Sequence, residues 1–186
     1  RVAQHMGLPI KNLYIATNQN DILNKIISLG QMNLNKVEQT ISPSMDIQIS
    51  SNFERQIFES VNHNSQMVIN IMNIFLTKKK YLFNEVVLKK FQDIYKATSV
   101  SNEETLKTIK RFKYKYDYLC DPHTATGLSI LDSLDTSDHP HVSLACAHPA
   151  KFGNAIEKAI GITPVLPKEL DNIFDKSEKM TILPNN

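Results

Sequence analysis

Apolar positions along this chain fall into two patterns, short unbroken runs and stripes at helical spacing. Leu13-Tyr-Ile-Ala-Thr17 is a mostly apolar run bounded by polar residues, the pattern of a buried parallel strand. Asn18 to Asp21 reads as a turn with a helix N-cap inside it, and Ile22 to Leu29 as a helix stopped by Gly30. Residues 31–50 are irregular, with Ser42-Pro-Ser-Met-Asp46 at their centre. Ser50 or Ser51 then caps a helix to about Val61, whose stripe of Phe53, Ile57, Phe58 and Val61 is assigned to the core. Residues 65–95 read as a helical block with Val68, Ile71, Met72 and Phe75 on one face, and Lys78-Lys-Lys80 as a solvated helix end.

Ser101-Asn-Glu-Glu104 is a capping box that opens a helix to about Tyr114. Two further strands are expected, at Asp117-Tyr-Leu-Cys120 and Val142-Ser-Leu-Ala-Cys146. Each is followed by a turn and a helix, the second with Pro149 as its first residue. Pro167 to Phe174 closes the chain as a short helix. Alternation of strands and helices predicts an α/β architecture of three layers, a mostly parallel sheet flanked by helices.

Composition sharpens this picture. The apolar fraction of 41% supports a sizeable core and excludes a disordered tail or a disulfide scaffold. A net charge of +2 is too balanced for a phosphate-reading surface, so no nucleic-acid partner is expected. No apolar run approaches the ~20 residues of a membrane span, and none is expected to meet a membrane. Cys120 and Cys146 read as reduced thiols of a cytoplasmic protein. Only 5 of 186 residues are glycine, well below the usual ~7%. With Arg1 first and Arg1 to Met6 resembling the last turns of a helix closed by Gly7, the expectation is a fragment that starts within an element. Partner strands for its sheet are expected outside it.

In an open α/β sheet, ligands bind beyond the carboxyl ends of the strands. That rule selects three turns here: Asn18–Asp21, Asp121–Thr124 and Cys146–Pro149. Two of them pair cysteine with histidine, as Cys120-Asp-Pro-His123 and Cys146-Ala-His148. Spacing alone raises a Cys₂His₂ zinc site or a cysteine nucleophile with a histidine base. Neither is preferred to small buried strand residues with locally bonded histidines, and no metal is expected. His5, His63, His139 and His141 are given no role.

Several blocks carry a family likeness. Met6-Gly-Leu-Pro9, Ile15-Ala-Thr-Asn18 with Asn20-Asp21, Ser42-Pro-Ser-Met-Asp-Ile47, Ser50-Ser-Asn-Phe-Glu-Arg55, Val100-Ser-Asn-Glu-Glu104, Asp121-Pro-His-Thr-Ala-Thr-Gly127 and Ala147-His-Pro-Ala-Lys-Phe152 resemble, in the same order, the blocks of threonine synthase, C-terminal part only. The likeness is to the longer, bacterial and fungal type.

That resemblance implies a pyridoxal 5'-phosphate enzyme of fold type II, the tryptophan-synthase-β-like fold. Residues 1–186 would be the C-terminal portion of its large cofactor domain, with 63–95 a peripheral helical elaboration. The implied activity of the full-length enzyme is conversion of O-phospho-L-homoserine and water to L-threonine and phosphate, a lyase reaction of threonine biosynthesis. The implied Schiff-base lysine and the glycine-rich phosphate cradle precede Arg1, so the N-terminal half is expected to be missing. No catalytic residue is expected within this chain, and the chain alone is expected to be inactive. A threonine stands in the family just before the Ala-His-Pro-Ala-Lys-Phe block, where it meets the pyridine nitrogen; here that position is Cys146. His123, Thr124 and His148 are candidate cleft residues. Asn52 and Arg55 are candidates for anionic substrate groups, with a helix cap and an ion pair as the competing roles. Another fold-type II lyase, or a non-catalytic α/β binding module, stays open at this point, as does the oligomeric state.

Overall fold

The computed structural model describes residues 1–134 and 139–184. Its order begins with a single helical turn, α1 (Val2–His5), followed by strand β1 (Leu13–Thr17) and helix α2 (Ile22–Leu29). Asp21 is the N-cap of α2. Gly30 closes the helix at φ +70°, where its N–H reaches Ile26 and Lys25 carbonyls. A side chain there would meet the Phe83 carbonyl at 3.4 Å and Leu88 at 3.5 Å, ordinary contact distances, so it is the backbone angle that favours glycine. A short strand β2 (Gln31–Asn33) follows.

Helix α3 (Glu54–Ser60) starts from a 3₁₀ turn over Ser51–Phe53. Helix α4 (Ser65–Lys78) is capped by Asn64, whose side chain accepts the Met67 N–H, and it ends at Lys79 in the left-handed conformation. Strand β3 (Lys80–Leu82), helix α5 (Glu85–Ile94) and strand β4 (Tyr95–Ser99) then run on almost without linker. Helix α6 (Asn102–Tyr116) begins at Ser101, whose hydroxyl accepts the Glu104 N–H as the capping box requires. Helix α7 (Pro122–Leu128) and helix α8 (Gly153–Ile160) complete the chain's α-helices among the described residues.

β1 and β4 pair in parallel, with Leu13 opposite Tyr95 and Thr17 opposite Ser99, while β2 and β3 form a separate antiparallel pair. Helices α2 and α5 pack against this layer. The fold is thus mixed α/β with a parallel sheet flanked by helices. No helix among the described residues is long and apolar enough to cross a membrane.

Two cores hold the molecule. The first joins Ile22, Ile26 and Ile27 of α2 to Phe53, Ile57, Ile71, Phe75, Phe83 and Phe91. Its centre is aromatic: Phe91 is fully buried, with ring centroids 5.4 Å from Phe53 and 5.1 Å from Phe83, tilted and edge-to-face. The second core joins Ile109 of α6, Cys120, Ala125 and Leu128 around α7, and Ile156 of α8.

The structure departs from expectation in identifiable ways. Phe58, assigned to the α3 stripe, is 36% exposed and stacks on His63 instead. It stands five residues after Phe53, past the inward face. The block read as helical over 65–95 contains β3, and its final residue opens β4. No glycine or proline separates α5 from β4, so the usual punctuation is absent. Segments 117–120 and 142–146 are not strands. In the second, Val142 and Leu144 are 85% and 78% exposed. The Cys146 N–H goes to the Thr124 hydroxyl and the Ala147 N–H to the Asp121 carboxylate, so these donors join side chains and not a ladder. The tail forms two 3₁₀ turns, at Lys168–Leu170 and Ile173–Asp175, in place of one helix.

Truncating the aromatic centre measures the first core. Phe91→Ala is expected to destabilise the protein by about 3–5 kcal/mol, whereas Phe58→Ala should cost under ~1 kcal/mol; urea unfolding of the two variants side by side checks this.

Candidate functional site

Helix α7 begins where a buried carboxylate gathers donors. Asp121 is its N-cap, and the following Pro122 suits the first helical position because its missing N–H needs no partner there. Asp121 is fully buried. Its Oδ1 accepts the backbone N–H of His123 at 2.9 Å and of Thr124 at 3.5 Å, and lies 2.9 Å from His123 Nδ1. Its Oδ2 accepts the Thr124 hydroxyl in a very short bond and the Ala147 N–H at 3.2 Å. Burial pushes this carboxyl upward, but the hydrogen bonds from Thr124, His123 and Ala147 together outweigh it and hold the group below its ordinary 3.8.

His123 extends the network. Its Nε2 accepts the Ser44 N–H at 3.1 Å. A backbone amide can only donate, so Nε2 carries no proton and Nδ1–H donates to Asp121. The Phe152 ring packs on the imidazole with centroids 4.7 Å apart. Residues 44, 121–124, 147 and 152 thereby meet at one place.

The segment around Ser44 is tied in turn to the end of β1. Asn18, almost fully buried, donates from Nδ2 to Asp46 Oδ1 at 2.7 Å and to Thr40 Oγ1 at 2.8 Å. Its Oδ1 accepts the Asn20 N–H at 2.9 Å. Asp46 also accepts the Thr40 N–H at 2.9 Å and the Thr40 hydroxyl at 2.7 Å. Ser99 at the end of β4 donates to the Asn18 carbonyl at 3.0 Å, and Asn102 accepts the Ile41 N–H at 3.3 Å. Polar side chains therefore fill the region beyond the carboxyl ends of both parallel strands, the place where open α/β sheets bind ligands.

The individual candidates fall out as follows. His123 and Thr124 are buried within the network. Cys146 is exposed at the end of the 142–146 run, with its Sγ donating loosely to the Leu144 carbonyl at 3.5 Å. His148 is exposed, accepts the Ala150 N–H at Nδ1, and caps the turn Pro149–Phe152. Ala147 and His148 line an open hollow with Tyr118, Leu119, Pro149 and Ile162. Asn52 and Arg55 are exposed, and the guanidinium donates to Asn52 Oδ1 at 3.2 Å. They stand at the start of α3 on the first core, while His123, Thr124 and Cys146 gather at the second. Cys120 is buried and its thiol is pushed up to about 11, chiefly by that burial, which makes it an inert packing group. Both ring nitrogens of His123 are committed, and no three His, Cys, Asp or Glu side chains among the described residues are grouped to hold a metal ion. The roles of Asp121 and Asp46 as hubs are not signalled by spacing. The Asp-Pro dipeptide at a helix start is the one local sign, and it indicates a cap only.

The donor set at Cys146 suits the nitrogen edge of a pyridine ring. The accessible group there is a neutral thiol, able to donate or accept weakly. The nearby Asp121 carboxylate is enclosed and its oxygens are already engaged. A ring nitrogen placed at this edge would meet a neutral partner, so the residues present fit pyridoxal phosphate of the kind that keeps its nitrogen unprotonated.

Comparison with known proteins finds relatives along nearly the whole chain. The family described as "Threonine synthase, C-terminal" matches residues 124–186. The threonine synthase of Pseudomonas aeruginosa is 37% identical over 186 residues, which is 99% of this chain and 40% of that protein. The crystal structure of pyridoxal-phosphate-bound threonine synthase from Brucella melitensis superposes with a TM-score of 0.92 at 40% identity, covering 98% of this chain and 39% of that one. The yeast threonine synthase structure gives 0.86 at 34% identity, covering 95% and 40%. The chain spans about 40% of the length of the relatives it matches.

Removing the buried charge tests the hub. Asp121→Asn is expected to destabilise the protein by about 2 kcal/mol at neutral pH, since an amide nitrogen cannot accept the two bonds made at Oδ2. The sign of the pH effect follows from the lowered carboxyl: its stabilisation is complete above 3.8 and drains away as pH falls through the lower folded value. Melting temperature measured from pH 7 to pH 2 should show this acid loss in the parent and a smaller one in the variant.

Proposed function

We propose, for a chain that corresponds to the C-terminal part of threonine synthase, that the whole protein converts O-phospho-L-homoserine and water to L-threonine and phosphate with pyridoxal phosphate as cofactor. The observation that carries this is the likeness to a pyridoxal-phosphate-bound threonine synthase along 98% of the chain. The cofactor, when bound, supplies the electron sink that eases loss of protons next to the amino-acid nitrogen-bearing carbon. Phosphate leaves from Cγ of the substrate and water adds at Cβ.

The chain's own share is a wall. Cys146 would stand against the ring nitrogen, where a thiol would not hold a proton as a carboxylate would. This tempers the sink and favours elimination and replacement at Cβ and Cγ. His123 and Thr124 act from below the surface by holding the segments that form the wall. His148, exposed on the turn after Cys146, borders the substrate side. Asn52 and Arg55 keep the role of a helix start paired to itself and take no part in this reading. Residues 63–95 elaborate the wall from outside the cleft, though their Phe75, Phe83 and Phe91 share the core with α2. The small-molecule substrate and the two free thiols accord with an enzyme of the cytoplasm.

The full-length protein, assayed with O-phospho-L-homoserine and pyridoxal phosphate, is expected to release phosphate and threonine in equal amounts. Cys146→Asp should lower turnover about tenfold or more while leaving cofactor binding intact. Absence of phosphate release by the parent enzyme would refute the activity, and full turnover by the variant would remove Cys146 from the ring.

A further inference from the structure

We propose that Thr124, oriented by Asp121, is a positioning residue that sets the place of Cys146 at the cofactor ring. The inference rests on the reading of Cys146 given above and adds the device that holds it.

A thiol orients itself poorly, because it is a weak donor and a weak acceptor. Its place must come from the backbone beneath it. That backbone is the extended run 142–146, which pairs with no strand among the described residues. What holds it is α7. The Thr124 hydroxyl has a single proton, and it goes to Asp121 Oδ2. The same oxygen is thereby left to accept, and it accepts the Cys146 N–H at 2.9 Å. Asp121 Oδ2 takes the next amide, Ala147 N–H, at 3.2 Å. Two consecutive amides are pinned by one carboxylate and the hydroxyl it directs. Both side chains are buried, so water is poorly placed to take their part. A second observation shows how close the run lies to α7: a Cβ at Gly127 would stand 3.1 Å from Ser143 Oγ. The helix and the run meet at glycine distance less than one turn beyond Thr124.

The consequence is directional. Loss of the Thr124 hydroxyl frees the Cys146 amide and lets the thiol drift, and misplacement of a contact group by an ångström is enough to weaken binding and catalysis. The threonine methyl makes none of these bonds, so serine should serve and valine should not.

The test uses the full-length protein and pyridoxal phosphate itself, with Thr124→Val, Thr124→Ser and Cys146→Ala compared. Cofactor affinity is read by titration and the ring environment by the absorbance maximum of the bound cofactor. Thr124→Val should weaken binding about tenfold and displace the maximum in the same direction as Cys146→Ala. Thr124→Ser should stay within about twofold of the parent with its spectrum restored. A substitution that merely loosened the fold would lower the melting temperature without moving the spectrum. If Cys146→Ala displaces the maximum and Thr124→Val leaves it in place, the relay is wrong while the Cys146 assignment survives. If neither displaces it, the Cys146 assignment fails and the relay with it. Should Thr124→Val not fold, Asp121→Asn, which removes the acceptor that directs the hydroxyl, must produce the same displacement; an unmoved maximum there overturns the proposal.

Discussion

A carboxylate without exposed surface must have its charge met by donors, because the cost of burying it unpaired far exceeds what a single contact returns. Asp121 meets that demand with five donors, two on His123, two on Thr124 and one on Ala147. The donors come from two stretches of chain, the second of them, at Ala147, 26 residues beyond Asp121. Neither stretch can leave without stranding the charge, so the start of α7 and the turn that follows Cys146 are fixed to each other. His123 passes the constraint to a third stretch by accepting the Ser44 amide.

From there the order spreads to the sheet. Ser44 belongs to the loop that Asp46, Thr40 and Asn18 hold against the end of β1, and Ser99 ties the end of β4 to the same asparagine. The aromatic core around Phe91 keeps α2 and α5 on the sheet, and thereby keeps the two strand ends level. The wall that would face a bound cofactor is the visible end of this chain of bonds. In the proposed function Cys146 would supply its chemistry, and the buried acid and hydroxyl behind it would supply its location. This division explains how a weak hydrogen-bonding group can stand where a threonine stands in the resembling family.

Some of this is readable from the sequence and some is not, for physical reasons. Leu13–Thr17 and Ile22–Leu29 are legible because each is bracketed by local stop signals, a polar turn at one end and Gly30 at the other. The capping box at Ser101 is equally local. β4 follows α5 without punctuation, and its assignment depends on pairing with β1 some eighty residues earlier, which no window of sequence contains. The run 142–146 has the composition of a buried strand, yet its amides at 146 and 147 go to side chains, a choice set by the distant Asp121. His123, Thr124 and Cys146 are drawn out of the sequence by strands expected at 117–120 and 142–146, which the structure does not form. Asp121 is not, since an aspartate before a proline reads as a cap and its bond to Ala147 leaves no mark in the spacing. Nothing in the described contacts brings Asn52 and Arg55 to that cluster, because the start of α3 belongs to the other core.

The state of one imidazole reports this buried network most directly. With Ser44 donating to Nε2 and Asp121 accepting from Nδ1, His123 must be neutral and protonated at Nδ1, the tautomer less favoured in solution. Nitrogen-15 NMR of the histidine side chains in the full-length protein near neutral pH, with His123→Gln to assign the signal, measures this. An Nδ1–H tautomer is expected for His123, with Nε2 resonating as an unprotonated acceptor. A His123 signal protonated at Nε2, or averaging freely between the two tautomers, would contradict it.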